Sequence, residues 1–281
     1  NFKEKMVFFN TDERDLKMLW QIEKGDAISY LVGTTHLFPY SFKKSLNSLM
    51  KKVNTFVLEA PVDEANMKKV IDSGLSKEGM PSLYNALNEQ TIIKINKELD
   101  ASFQRYTPFL FSINTISPGT IDWLSPMIKG LKPWMAFFNI FAHYLKKRGW
   151  KYMMDVDALK IAKKLDKDIH FLESIDDHIK ALDGIPISKI VAFLKKIDES
   201  EECVAKFVDC YTKGYFTELM SSINGFPMYS PSIIEERDPI LYNRMKVFLE
   251  SGDCIILVGT FHMPGIHKLL DEDGYRTKKI W

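Results

Sequence analysis

LVGTTH at residues 31–36 returns as LVGTFH at residues 257–262, changed at one position and separated by most of the chain. Each copy follows apolar residues, AISY before the first and DCII before the second, so each reads as the end of a buried strand. Glycine, threonine and then histidine follow, which puts an imidazole just beyond the strand's carboxyl end. Ligand sites in open α/β sheets lie in that crevice. If the two strands run side by side, His36 and His262 share one pocket. Gly33 and Gly259 would let the backbone turn sharply or let another group approach closely. Thr34 and Thr260 are placed to bond local backbone.

Working outward, LWQIEKGDAISYLVG reads as two strands joined at Lys24-Gly25-Asp26. SFKKSLNSLMKKV spaces Phe42, Leu46, Leu49, Met50 and Val53 as a helical stripe. TFVLEAP is a short strand that ends in Glu59 and stops at Pro61. This strand–helix–strand unit predicts parallel pairing of its two strands. Residues 62–150 read as mostly helical, with breaks at Gly74, Gly79-Met80-Pro81, Pro108, Pro118-Gly119 and Pro133. A helix from Asp155 to Leu165 precedes DIHFLES at 168–174, a third strand that also ends in an acid, Glu173.

A helical tract is expected from Ser188 to about Asn224, interrupted near Gly214. GFPMYSPS is a loop, and IIEERDPILYNRMKVFLE resumes the helix. DCIILVGTFH is a fourth strand, GIHKLLDEDG a short helix, and YRTKKIW a last strand. The expected fold is α/β, with a mixed central sheet built from both chain ends. Two pseudo-symmetric strand-GxxH units sit in that sheet under a mainly helical middle. The expected organisation is a single domain over 1–281, with 62–150 and 175–235 as helical cap regions.

The chain has 281 residues, 46% of them hydrophobic, enough for one large core or two modest ones. Lys and Arg total 38 against 37 Asp and Glu, so nothing in the charge calls for a nucleic-acid partner. Cys203 and Cys210 lie on one helical stretch, roughly 10 Å apart at about 1.5 Å per residue, too far for a bridge. Cys254 opens an apolar strand as a buried thiol. Without a CxxC pair or Cys/His cluster, no zinc finger is expected. The longest apolar run, WMAFFNIFAHYL at 134–145, is too short for a bilayer and contains Asn139 and His143. The sequence opens Asn1-Phe2-Lys3, the pattern of a trimmed or processed chain. If an export signal preceded it, the expectation is an extracytoplasmic or membrane-anchored protein.

Two strand-end histidines with Glu59 make a three-ligand set for a divalent ion, with a position left for water. Such an ion lowers the pKa of water and polarises a carbonyl, which suits amide or ester hydrolysis. Three other readings fit the same sequence. A metal-free hydrolase would use one GxxH histidine as general base, oriented by Glu59. A duplication kept for packing would leave both histidines as core or capping residues. A non-catalytic binder would use Trp123, Trp134, Phe137, Phe138 and Phe141 as a groove, although aromatics at helical spacing are more often core.

GTTH followed by VLEAP, with VGTFHMPGIHKLLDEDGYRTKKI at the other end, resembles the TraB/GumN family, which includes the Tiki proteases. LKPWM at 131–135, MDVDALKIAKKLDKDIHFLES at 154–174 and EERDPILYNRM at 235–245 are similar to its remaining blocks. The resemblance spans roughly residues 18–281. It implies, for the Tiki branch, a peptidase dependent on manganese or cobalt, with zinc as the third choice. That branch cuts near the amino termini of secreted Wnt proteins, so the implied partner is a peptide or protein substrate. TraB-like members are linked to inhibition of peptide pheromone signalling, by proteolysis or sequestration. The implied fold is related to erythromycin esterase and the haem-binding ChaN proteins.

Carried over by position, the resemblance implies His36, Glu59 and His262 as the metal set, with Glu59, Glu173, Arg237 and Asp155 as catalytic candidates. Arg237 would hold a substrate carboxylate, stabilise an oxyanion, or lock Glu59 or Glu173 in place. A structural salt bridge is the other role open to Asp155, Glu173 and Arg237. Many bacterial relatives read RN at Arg237-Asp238 and GAGH at GTFH, departures that bear on the branch. His267 is expected at the pocket rim, and His143, His170 and His178 as ordinary surface or core imidazoles.

Overall fold

A computed structural model describes residues 12–103, 122–223 and 225–280. The breaks expected at Pro108 and Pro118-Gly119, and the tract's end at Asn224, lie outside the described residues. Leu19–Lys24 (β1) and Ala27–Thr34 (β2) form an antiparallel hairpin. Gly25 supplies the left-handed residue of its turn, at φ 59°. Lys43–Met50 (α1) buries Leu46, Leu49 and Met50 and leads into Thr55–Leu58 (β3).

The first helical stretch holds Glu64–Ser73 (α2), Leu83–Ala86 (α3), Glu89–Phe103 (α4), Leu124–Ile128 (α5) and Pro133–Lys147 (α6). Met154–Lys164 (α7) precedes Asp168–Phe171 (β4). The second stretch holds Ile175–Asp183 (α8), Ile187–Leu194 (α9), Ser200–Lys213 (α10) and Phe216–Ser222 (α11). Asp238–Ser251 (α12), Cys254–Gly259 (β5), Met263–Glu272 (α13) and Arg276–Lys279 (β6) close the described chain.

The fold is α/β. Six strands from both chain ends form one sheet in the order β4-β3-β5-β2-β1-β6. The first four run parallel, while β1 is antiparallel to β2 and to β6. The expected pairing of β2 with β3 is corrected here: β5 lies between them and pairs with both. Ile255 to Val258 are fully buried, so both sheet faces are covered. A strand apolar on both faces is most stable with neighbours on both edges, and β5 takes that place.

The helix expected from Ile233 instead begins at Asp238, with Pro239 in its first turn. Proline suits a helix start and disfavours helical backbone at the residue before it. Gly214 breaks the long tract as expected, with φ 76° at the end of α10, and a second break falls after α9. Trp134 and Phe137 are core residues at 3% and 0% exposure, not groove walls. Cys203, Cys210 and Cys254 are free thiols. Among the described residues, no helix is long and apolar enough to cross a membrane.

Candidate functional site

Four parallel strands end side by side, so the residues just beyond them share one crevice. Glu173 follows β4, Glu59 follows β3, His262 follows β5 and His36 follows β2. The ladder reaches into the site: Glu173 N donates to Glu59 O at 2.9 Å, and Glu59 N to Leu257 O at 2.9 Å. The two hexapeptides are neighbours, staggered by one residue, with Gly33 opposite Val258 and Thr34 opposite Gly259.

Close approach explains both glycines. A side chain at Gly33 would press on Met263 Cγ and Thr260 Oγ1 at 3.2 Å, and one at Gly259 would lie 3.3 Å from Glu59 Oε2. Gly259 N donates to that same oxygen at 2.6 Å. Thr260 Oγ1 donates to Thr34 O at 2.7 Å, tying the second copy to the first. From α10, Tyr211 donates its hydroxyl to Gly33 O at 2.6 Å.

Each histidine sets Nδ1 against a carboxylate at a helix start. His36 Nδ1 is 2.6 Å from Asp155 Oδ2 in α7, and His262 Nδ1 is 2.6 Å from Asp238 Oδ1 in α12. A carboxylate on one ring nitrogen fixes the tautomer and leaves the other for a ligand or a proton. The settings then diverge. His262 is 3% exposed and His36 is 63% exposed, so His36 presents its ring to solvent at the crevice mouth.

Loss of hydration opposes charge on His36, but the Asp155 charge and hydrogen bond, with help from Glu59, push its pKa up to about 9. Solvent at the ring screens that pair. For His262, burial likewise opposes charge, and the Glu59 charge with the Asp238 hydrogen bond overrides it to raise the pKa. Burial raises Asp238 against the His262 hydrogen bond and charge, which act to lower it.

Arg237 binds the acids together. Its Nη2 donates to Glu59 Oε1 at 2.6 Å and Glu173 Oε1 at 2.5 Å, and its Nε donates to Glu173 Oε2 at 3.1 Å. Its Nη1 lies 3.1 Å from His262 Nε2. Of the roles open to it, locking both glutamates is the one these contacts display. Burial works against ionised Glu59, but the His262 and Arg237 charges outweigh that and hold its carboxyl well below the usual range.

The expected metal set comes together only in part. His262 Nε2 is 3.6 Å from Glu59 Oε1, and His36 keeps its Nδ1 on Asp155 outside the group whose ligand atoms lie closest together. Among the described residues, Glu59, Glu173 and His178 are the trio offering one ligand atom each within 4.8 Å of the others, a group that could hold a metal ion. His178 therefore corrects the reading of it as an ordinary imidazole: its Nδ1 is 2.7 Å from Glu173 Oε1. Its signal was the capping box of Ser174 and Asp177, which starts α8 directly after Glu173 and folds residue 178 back beside it. Asp238 was likewise missed as a partner of His262; an acid before proline at a helix start was its signal. His267 packs edge-on against Trp20 and Phe216 instead of joining these bonds. His170 pairs with Asp168 on the surface.

Imidazoles and carboxylates gathered at the carboxyl ends of parallel strands define an α/β protein with one strand-end polar centre. The chain matches the TraB/PrgY/gumN family over residues 18–279 and belongs to that family. No curated protein matches it.

Proposed function

We propose that the protein is a metal-dependent peptidase, cutting peptide bonds near the amino terminus of a peptide or protein. One observation carries the reading. Both GxxH histidines project past adjacent parallel strands with Nδ1 held by an aspartate, beside two glutamates at the next strand ends. Imidazole and carboxylate donors suit Mn²⁺ or Co²⁺, and Zn²⁺ as well. Glu59, Glu173 and His178 are the residues whose spacing fits an ion, and His262 Nε2, 3.6 Å from Glu59 Oε1, is the donor that would join them. When bound, such an ion supplies Lewis-acid polarisation of a carbonyl and a water of lowered pKa. The chain's own groups divide the remaining work. His36, exposed and held by Asp155, would give a proton from Nε2 to the leaving amine and then take it back. Glu59 and Glu173 supply negative charge, which Arg237 neutralises as long as no ion is bound.

A metal-free hydrolase is the second reading. It is favoured by Arg237, which already neutralises Glu59 and Glu173, and by the ready His36–Asp155 dyad. Cleavage of an unstructured peptide, followed by mass spectrometry, separates the two. Activity is expected to vanish with a chelator, return with Mn²⁺ or Co²⁺, and be absent in His262→Ala. Full cleavage by His262→Ala would sink the peptidase reading. Indifference to the chelator, with His36→Ala inactive, would hand the case to the metal-free hydrolase.

A further inference from the structure

The geometry points to Arg237 as a resident cation in the Glu59–Glu173–His178 trio, which a divalent ion must displace, so that metal binding and arginine release are one exchange. The inference rests on the metal reading above. Nη2 touches all three groups, at 2.6 Å from Glu59 Oε1, 2.5 Å from Glu173 Oε1 and 3.4 Å from His178 Nδ1. An ion bonded to those donors at about 2.0–2.2 Å would need the volume that Nη2 fills. Two cations cannot share it, by sterics or by charge.

Arg237 is also fully engaged, which makes it a competitor and not a bystander. Its Nε binds Glu173, and its Nη1 contacts Ile233 O at 3.3 Å and His262 Nε2 at 3.1 Å. Burial disfavours its charge, but Glu59 and Glu173 more than offset this and keep the guanidinium ionised. Its position suits release. Arg237 caps α12 after the turns of Ile233 to Glu236, so its side chain can leave without breaking a helix. Its neighbour Asp238 holds His262, which couples arginine movement to the second GxxH motif.

The sign of one measurement decides. If Arg237 competes, removing it tightens metal binding; if it is a scaffold for the ligands, removing it weakens binding. Mn²⁺ alone serves as the probe, titrated into wild type and Arg237→Met by calorimetry and followed by electron paramagnetic resonance. The variant is expected to bind about tenfold more tightly or better, the scale on which neighbours of ligands tune affinity. Its thermal stability should fall without the ion, because two buried carboxylates lose their partner, and should rise more than wild type's when Mn²⁺ is added. Arg237→Gln, which removes the charge but keeps an amide to donate to the two carboxylates, gives the same comparison if the Met variant does not fold. Equal or weaker Mn²⁺ binding in the variant overturns the exchange and leaves the metal reading standing. Absence of Mn²⁺ binding in every protein overturns both.

Discussion

His36 and His262 each keep Nδ1 on an aspartate at 2.6 Å, yet one ring is 63% exposed and the other 3%. The difference has a titration consequence. Asp155 raises His36 from 6.5 to about 9, so the folded state binds that proton more tightly than the unfolded chain does. The pair's stabilisation is therefore fully present below about pH 6.5 and is lost as the pH rises through about 9. Proton NMR should show one imidazole titrating far above 6.5 in wild type and returning towards it in Asp155→Asn. A wild-type His36 midpoint at or below 6.5 would refute the assignment. This histidine, Glu59 and the second histidine were readable from strand ends. Asp238 and His178 carry only helix-start signals, the acid before Pro239 and the Ser174–Asp177 capping box, which mark where a helix begins and not which strand end it meets.

At the scale of elements, the site depends on helix starts meeting strand ends. Gly265 in α13 lies against Asp238: a methyl there would collide with the carboxylate and stand 2.7 Å from its Cγ. The carboxylate cannot swing aside freely, since His262 holds it. Alanine normally favours a helix by about 1 kcal/mol over glycine, but overpacking costs roughly 1–3 kcal/mol. Gly265→Ala should therefore lose stability in urea denaturation and lower Mn²⁺ affinity by displacing His262's partner. A neutral or more stable variant would contradict this packing. Element types were largely legible, since 2.0 and 3.6 residue periods are local. The start of α12 was placed too early because its apolar stripe continues backwards, while Pro239 sets the actual start.

At the scale of the whole molecule, the sheet joins sequences from opposite ends. β6 covers the outer edge of β1, pairing Trp20 with Lys279 and Ile22 with Thr277. A chain ending at Gly274 would leave β1 as an unpaired apolar edge, the kind that recruits other chains. Light scattering and thermal unfolding should show self-association and a lower melting temperature. Elution and melting identical to the full chain would rule out this role for β6.

The repeated hexapeptide, the apolar runs and the acids of VLEAP and HFLES determined by themselves that strands end in chemistry-bearing residues. Such information is local, carried by alternation, turn residues and chain order. Tertiary structure alone decided that β5 separates β2 from β3, that His262 is sealed while His36 is open, and that Arg237 stands among Glu59, Glu173 and His178. These are contacts between segments up to 225 residues apart. They are selected by which edges and charges must be covered together, and no stretch of sequence read in isolation contains that sum.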